Sequence, residues 1–541
     1  MSESYILILG AGLMQRPSIE AARELGYKSL VVDGNPYALC AGFADRFEPV
    51  DLKDKEGLVN LARSLGKDLA AVFTAGTDFS ASVSYVAEHC GLHAHSYEAA
   101  CNASDKTRMR SCFAAAGVPS PSFCRITKEE LPTFLSPEKL ASLRFPKVVK
   151  PVDNMGARGC RLIRDASEFA GALTDAVAYS RSGTAILEDY MAGPEFSIDA
   201  LVFDGTLTIT GFADRHIFYE PYFIEMGHTM PSSIDEGKRR ELIQCFAKGI
   251  QALGLRHGVA KADIKYTAKG PMIGEIAARL SGGYMSGWTY PYASGLFLTK
   301  EAMLLALGKK PEELLSRRVP VEGLDAPFAV YDVPCGKTCA ERAWISIPGK
   351  VQDVLCLQQA KDEPFVRDVL PRVRAGEAVD FPRNNVEKCG NCLALAADRE
   401  LAAQAAEKAV SSIILRLKAN ERRTEDFLFG KEKAGERSFP PDAYTLSDGQ
   451  LAALMAVLRE VPRIGRNVPV SFLWAEHIAD FADNVKDFNH RSLTESLDAF
   501  DEICPLHTEL DSFEFWKKLL RGGLQGIVYY ADCMASAEET V

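Results

Sequence analysis

Three short apolar runs near the start of the chain, each ending in glycine or acidic residues, constrain the fold more than any composition does. Tyr5-Ile-Leu-Ile-Leu9 runs into Gly10-Ala11-Gly12 and is followed by a helical pattern over Ile19–Leu25. Ser29–Val32 ends in Asp33-Gly34-Asn35-Pro36, and Ala70–Phe73 ends in Thr74-Ala75-Gly76-Thr77-Asp78. Strands alternating with helices at this spacing predict a doubly wound parallel sheet. Ligands of such sheets gather beyond the carboxyl ends of the strands, where these Gly and Asp residues lie. Gly10-x-Gly12 followed by Asp33 invites a dinucleotide reading, but Gln15 stands near the helix start where a pyrophosphate needs close backbone approach.

At 541 residues the chain is long enough for three or four domains of roughly 150 residues each. Hydrophobic residues at 47% and charged residues at 25% exclude a wholly disordered chain. The net charge of −11 argues against a nucleic-acid partner, which would require a basic face. No run approaches the roughly 18 apolar residues of a membrane span. Met1-Ser2-Glu3-Ser4 carries no basic n-region, so a soluble, cytoplasmic protein is expected. The 14 cysteines then read as reduced thiols. Cys335-x-x-x-Cys339 with Cys389-x-x-Cys392 could hold zinc only if the two pairs met across about 50 residues of chain. His89-Cys90-x-x-His93-x-His95 is a metal candidate of the same weight, since Gly91 breaks any helix that would align His89 with His93; buried structural thiols and surface histidines are expected.

From about residue 120 the character changes. Prolines punctuate the chain up to the strand Lys147–Pro151, and further strand-like runs at Ala185–Leu187, Phe196–Leu201, Leu207–Gly211, Val259–Ile264 and Met272–Ile276 indicate α+β structure. A mixed segment follows from Phe328 to about Leu417. Asn420–Pro441 reads as a linker. Beyond it, helical patterns and a disproportionate acidity predict a separate helical unit, since residues 431–541 alone carry −8 of the net charge.

The chemistry gathers in three stretches. Val149-Lys150-Pro151-Val152-Asp153-Asn154-Met155-Gly156-Ala157-Arg158-Gly159 is a strand with a terminal lysine and a glycine loop whose N–H groups could close over phosphates. Lys106 starts a helix upstream. Glu188-Asp189-Tyr190-Met191, then Glu195, suit a nucleotide hinge with a carboxylate for ribose hydroxyls; Glu188 would accept from an adenine amino group. Asp263 and Glu275 lie on strands able to pair, so both could face one Mg²⁺, which prefers hard oxygen donors. Arg279 follows on the same edge.

Over about residues 1–420 this order of segments resembles the ATP-grasp superfamily of carboxylate–amine ligases, in the branch of biotin carboxylase, carbamoyl phosphate synthase and L-amino acid ligases. The resemblance implies a multidomain α/β and α+β protein. It would comprise a pre-ATP-grasp parallel-sheet domain (1–119), an ATP-grasp domain of two α+β subdomains (120–315), a C-terminal lid (322–425) and an extra helical domain (438–541). It assigns ATP contacts to Lys106, Lys150, Gly156, Ala157, Gly159, Glu188, Asp189, Tyr190, Met191 and Glu195. Metal (Mg²⁺, with Mn²⁺ as a substitute) goes to Asp263 and Glu275, and catalytic roles to Arg279 and Lys150. Ala277 replaces the Asn of the family's usual Glu-x-Asn motif, which leaves open whether one or two metal ions are held. Ala157 replaces a frequent hydroxyl residue.

The implied reaction is activation of a carboxylate as an acyl phosphate, with ADP and phosphate released, followed by attack of an amine. Amino-acid or dipeptide-type ligation is the expected class, with small-molecule carboxylate and amine substrates and neither nucleic acid nor membrane as partner. A homodimer is compatible with the pattern. Arg215, His216, Glu225, His228, Ser281, Gly283 and Tyr284 flank the metal strands as substrate-pocket candidates. A silent nucleotide-binding regulator, a biotin-carboxylase-like subunit and an NAD-dependent oxidoreductase are the rivals.

Overall fold

Buried apolar runs form the first sheet of the computed structural model, which describes residues 4–430, 439–504 and 508–539. Tyr5–Leu9 (β1), Lys28–Asp33 (β2), Arg46–Pro49 (β3) and Leu69–Phe73 (β4) lie parallel in the order β3-β2-β1-β4. Ile6 and Ile8 enter one core while Leu7 and Leu9 enter another, as period-2 alternation demands. Each such burial is worth roughly 1.5–3 kcal/mol. Asp33 holds the turn after β1: its carboxylate accepts from Ala11 N at 2.8 Å and Asn35 N at 2.9 Å. Gln15, with no exposed surface, ties the same turn to the end of β4 through Ala75, which donates to Gln15 Oε1 at 3.1 Å. Both residues that a dinucleotide would need to approach are spent on holding the two loops together.

Two antiparallel sheets follow. Phe123–Thr127 (β5), Lys147–Pro151 (β6), Arg161–Ile163 (β7) and Thr184–Asp189 (β8) pair in the order β5-β8-β6-β7. The helix Ala166–Tyr179 covers them through Phe169, Ala172, Leu173 and Ala176, a helical stripe. The larger sheet is built on Glu195–Phe203 (β9), Thr206–Phe218 (β10), Ile224–Met230 (β11), Gly258–Thr267 (β12) and Gly270–Ala277 (β13), with β13-β12-β9-β10 as successive neighbours. Phe196, Ile198, Ala200 and Val202 pack with the helix Glu236–Leu253. The alternate residues Glu195, Ser197 and Asp199 therefore leave by the opposite face.

Contacts sort the chain into two compact units. The first holds residues 1–223, 227–340 and 395–399; the second holds 224–226, 341–394 and 400–541. In the second, Gly349–Leu355 pairs with Ile414–Leu417 and Ala378–Val379. The stretch expected as a linker contains the helix Arg422–Phe429, capped by Glu421, while 431–438 lies outside the described residues.

The tail is not a unit of its own. Asn489 bonds both N and O of Ile345, at 2.9 and 3.0 Å, and Gln525 accepts from Ile347 N and donates to Leu415 O. Asp532 binds Arg416 at 2.8 Å. Asn489 and Gln525 satisfy backbone groups that would otherwise be buried without partners, and Asp532 pairs with the Arg416 side chain. Removing residues 439–541 should therefore leave the rest of the second unit insoluble, as checked by expression and light scattering. A soluble, monodisperse truncation would overturn this view of the tail. No described helix is long and apolar enough to cross a membrane.

His95 departs from the surface reading. Its side chain is buried, with Nε2 at 2.8 Å from Val259 O, and Nδ1 accepts from Arg256 N and His257 N at 3.2 Å. Burial pushes its pKa down to about 4. The unfolded chain thus binds a proton below about pH 6.5 that the folded chain refuses until about pH 4. Stability should fall by about 3 kcal/mol across that window, and a His95→Gln variant, though less stable, should lose that part of the slope. Equal slopes in urea unfolding between pH 7 and 4.5 would refute it.

Candidate active site

Register places the charged residues of the large sheet on one face. Asp263 lies opposite Glu275 on β13 and Ser197 on β9; Lys261 lies opposite Ala277 and Asp199; Lys265 lies opposite Glu195, which in turn faces Arg215 of β10. Directly opposed residues share a face, with Cβ atoms about 5 Å apart. The two expected metal ligands are thus neighbours, and two carboxylates on adjacent strands are a donor set suited to one hard divalent ion.

These groups are already paired. Arg215 reaches Glu195 at 2.5 Å and Asp263 Oδ1 at 2.7 Å, and Lys261 pairs with Asp263 Oδ2. Lys265 reaches Glu195 at 3.3 Å. Lys106 Nζ lies 3.3 Å from Glu275 and donates to Asn154 O at 3.1 Å. Burial would raise Glu275, but Lys106, then Lys261, Lys150 and Arg279, bring its pKa down to about 2. Burial likewise opposes the charge of Lys106, yet Glu275 and Asp78 lift its pKa above the ordinary lysine value. The site holds its charges ionised by mutual pairing.

Lys106 owes its place to a helix cap. Asp105 accepts from Thr107 N at 2.8 Å and Arg108 N at 2.9 Å, starting the helix Lys106–Ala115. Lys106 N donates to Val152 O at 3.1 Å, so the helix start is fastened to the loop after β6. In that loop Gly156, Ala157 and Gly159 all have positive φ, of 68°, 59° and 70°. Only at Ala157 does a Cβ bear the strain of that conformation.

Around the expected hinge, Asp189 pairs with Lys147, and Lys265 lies 5.4 Å from the centre of the Tyr190 ring. A methyl added at Gly274 would come within 3.6 Å of Met191 Cε, so Met191 lies close to β13. Glu188, expected to accept from an adenine amino group, has both oxygens bonded within the protein. It is 2% exposed, with Oε1 taken by Arg110 at 2.7 Å and Oε2 by Lys150 at 2.6 Å. β8 lies between β5 and β6, and Glu188 sits directly opposite Val148. Its work is to hold Lys150. Burial would raise its pKa, but Arg110 and then Lys150 bring it below the usual carboxylate range.

Arg279 is held by Asp78, its Nε at 3.0 Å and Nη2 at 2.8 Å from Oδ1, while Nη1 donates to Leu280 O. Ser281 donates from N and Oγ to Asp199 Oδ2, at 3.1 and 2.8 Å. Burial raises Asp199, against these bonds, to about 6. Gly283 and Tyr284 continue the loop, the Tyr284 ring 5.5 Å from Trp288. His228 Nε2 is 2.7 Å from Thr289 Oγ1, and His216 Nε2 is 3.1 Å from Thr229 Oγ1. Glu225 belongs to the second unit, where its N–H donates to Asn385 and its carbonyl accepts from Lys388. Cys335 and Cys339 fall in the first unit, Cys389 and Cys392 in the second; burial pushes the Cys335 and Cys389 thiols up to about 12.

Arg110, Lys261, Lys265 and Asp199 were not picked out from sequence. Arg110 had a usable signal, standing four residues after Lys106 and so on the same helix face. Asp78 was placed at a strand's carboxyl end, but its pairing with Arg279, 201 residues away, had no signal.

Residues 143–287 match the ATP-grasp domain family, and residues 343–418 match the L-amino acid ligase C-terminal domain 2. Carnosine synthase 1 of Gallus gallus is 27% identical over 344 residues, covering 59% of this chain and 37% of that protein. Alanine–anticapsin ligase of Bacillus subtilis (strain 168) is 25% identical over 299 residues, covering 51% of this chain and 61% of that protein. The chain thus spans little more than a third of the carnosine synthase. The crystal structure of L-amino acid ligase from Bacillus licheniformis superposes with a TM-score of 0.64 at 19% identity, covering 77% of this chain and 100% of that one. That likeness gives the fold.

Proposed function

We propose that this chain, which carries an ATP-grasp domain and an L-amino acid ligase C-terminal domain, is an ATP-dependent ligase that joins a carboxylate to an amine. The carboxylate is activated as an acyl phosphate, ADP and phosphate leave, and the linkage is of the amino-acid or dipeptide type. The observation that carries the reading is the opposed pair Asp263 and Glu275, with Lys106 3.3 Å from Glu275 and the charges of Lys150 and Arg279 also acting on it. Named relatives that ligate amino acids support it.

The chemistry needs those charges. A substrate carboxylate approaching a γ-phosphate brings anions together at about 1 kcal/mol per charge pair in water at 4 Å, and several-fold more in a drier site. Mg²⁺, held by Asp263 and Glu275, would neutralise phosphate charge. Lys106 and Lys150 would contact the phosphates, with Gly156, Ala157 and Gly159 closing over them and excluding water. Arg279, aimed by Asp78, would stabilise charge on the phosphoryl group in transfer. Asp189–Met191 would frame the base and Glu195 the ribose, once Arg215 and Lys265 share it. Arg215, Glu225, His228, Ser281, Gly283 and Tyr284 remain the proposed substrate contacts.

On this reading residues 1–119 carry the parallel sheet, 120–315 clasp ATP, 322–425 form the lid and 438–541 are a helical part with no assigned role. The enzyme would work in the cytoplasm, where ATP and reducing conditions are at hand, on small molecules; a homodimer is to be tested by sedimentation. Hydroxylamine supplied with ATP and a panel of amino acids should trap a hydroxamate, with ADP as the co-product. AMP and pyrophosphate instead would overturn the proposed chemistry.

A further inference from the structure

Lys261 stands where the metal pair meets the rest of the charged face. Along β12 it is two residues from Asp263, so its side chain leaves the same side of the sheet. Across the sheet it is opposite Asp199 on one neighbour and Ala277 on the other. It is 6% exposed, and its one ion pair among the described residues is with Asp263 Oδ2. Its charge also reaches Glu275, second only to that of Lys106. One ammonium therefore acts on both carboxylates that would hold a divalent ion.

Ala277 makes room for this. A residue directly across from Lys261 has its Cβ about 5 Å away, so a longer side chain at 277 would compete with the lysine for the space beside Asp263. The methyl group of Ala277 does not reach into it and offers no oxygen to a cation. Arg215, which holds Asp263 Oδ1, has an alternative partner in Glu195 at 2.5 Å. Lys261 also faces Asp199 across the sheet, but the ion pair it makes is with Asp263.

We propose that Lys261 serves as a built-in second cation of the phosphate site, so that this chain takes up one divalent ion with ATP where two-metal phosphoryl-transfer sites take two. The inference rests on the ATP-ligase reading above. A fixed ammonium at Asp263 neutralises the charge that a second ion would otherwise neutralise, and it contributes no further coordination. The consequence is an altered cation count, independent of which amine or carboxylate is joined.

The test is the number of Mn²⁺ ions bound per full-length chain in the presence of the β,γ-imido analogue of ATP, followed by electron paramagnetic resonance. The wild type should saturate at one ion, and Lys261→Arg, which keeps the charge, should also stop at one. Lys261→Ala combined with Ala277→Asn, which removes the ammonium and adds an oxygen donor, should saturate at two, with circular dichroism reporting its fold. Two ions in the wild type, a count that needs no variant, overturn the proposal, as does a folded double variant that stays at one. If the wild type binds no analogue at any Mn²⁺ concentration, the ligase reading itself fails and takes this inference with it.

Discussion

Glu275→Ala should abolish ligation, by a hundredfold or more, while weakening binding of the ATP analogue much less. The side chain lies opposite Asp263 and 3.3 Å from Lys106, where on the proposed reading it would serve both a divalent ion and the lysine at the helix start. Losing a preorganised group aimed at charge in the transition state costs about 10²–10³ in rate. The contacts expected around the base, at Asp189–Met191, lie on another strand and stay in place. Phosphate release at saturating ATP, compared with analogue affinity by calorimetry, separates the two effects. A variant with near-normal turnover would remove Glu275 from the metal assignment and leave the fold untouched.

Glu188→Ala should be the most destabilising single change in the first unit, by about 3–5 kcal/mol. Arg110 has no exposed surface and Lys150 is largely covered, and both are charged against this one carboxylate. Removing the carboxylate leaves the Arg110 guanidinium buried with only Gly274 O, at 2.6 Å, to accept from it. Replacing both partners, as Glu188→Leu with Arg110→Met, should restore part of the loss, because the fully buried guanidinium goes with its carboxylate and only Lys150, 15% exposed, loses its partner. Urea unfolding followed by tryptophan fluorescence measures both. A single-variant loss below about 1 kcal/mol would mean that water reaches the pair and that Glu188 is free to meet a ligand after all.

The parallel sheet was legible because its strands are fully buried and so read as unbroken apolar runs ending in turn residues. β3 escaped notice: Arg46-Phe-Glu-Pro49 is an edge strand with exposed positions and no apolar run to betray it. The two carboxylates proposed to hold metal were legible only as far as their strands. Asp263 and Glu275 lie on consecutive strands joined by a tight turn, but unbroken hairpin register would set Asp263 opposite Gly274; the register shift after Asp263 brings Glu275 across from it. Lys150 and the glycine loop were legible as one continuous segment. Ala277 was visible as a departure, but its meaning was not.

What sequence could not supply was which charge meets which. Glu188 looked like a free acceptor because its partners, Arg110 and Lys150, lie on a helix and on another strand. The tail looked separate because composition reports solvent-facing charge, while Asn489, Gln525 and Asp532 face inward to groups more than 100 residues away in the chain. His95 looked like a surface histidine until two backbone N–H groups closed on its ring. The sequence by itself determined the element types, the strand carrying each carboxylate and the order of the segments, since these depend on local periodicity and turn chemistry. Tertiary structure alone decided which carboxylates are held by cations and which cation stands beside Asp263. Coulomb and desolvation energies depend on distances that only the packed chain sets.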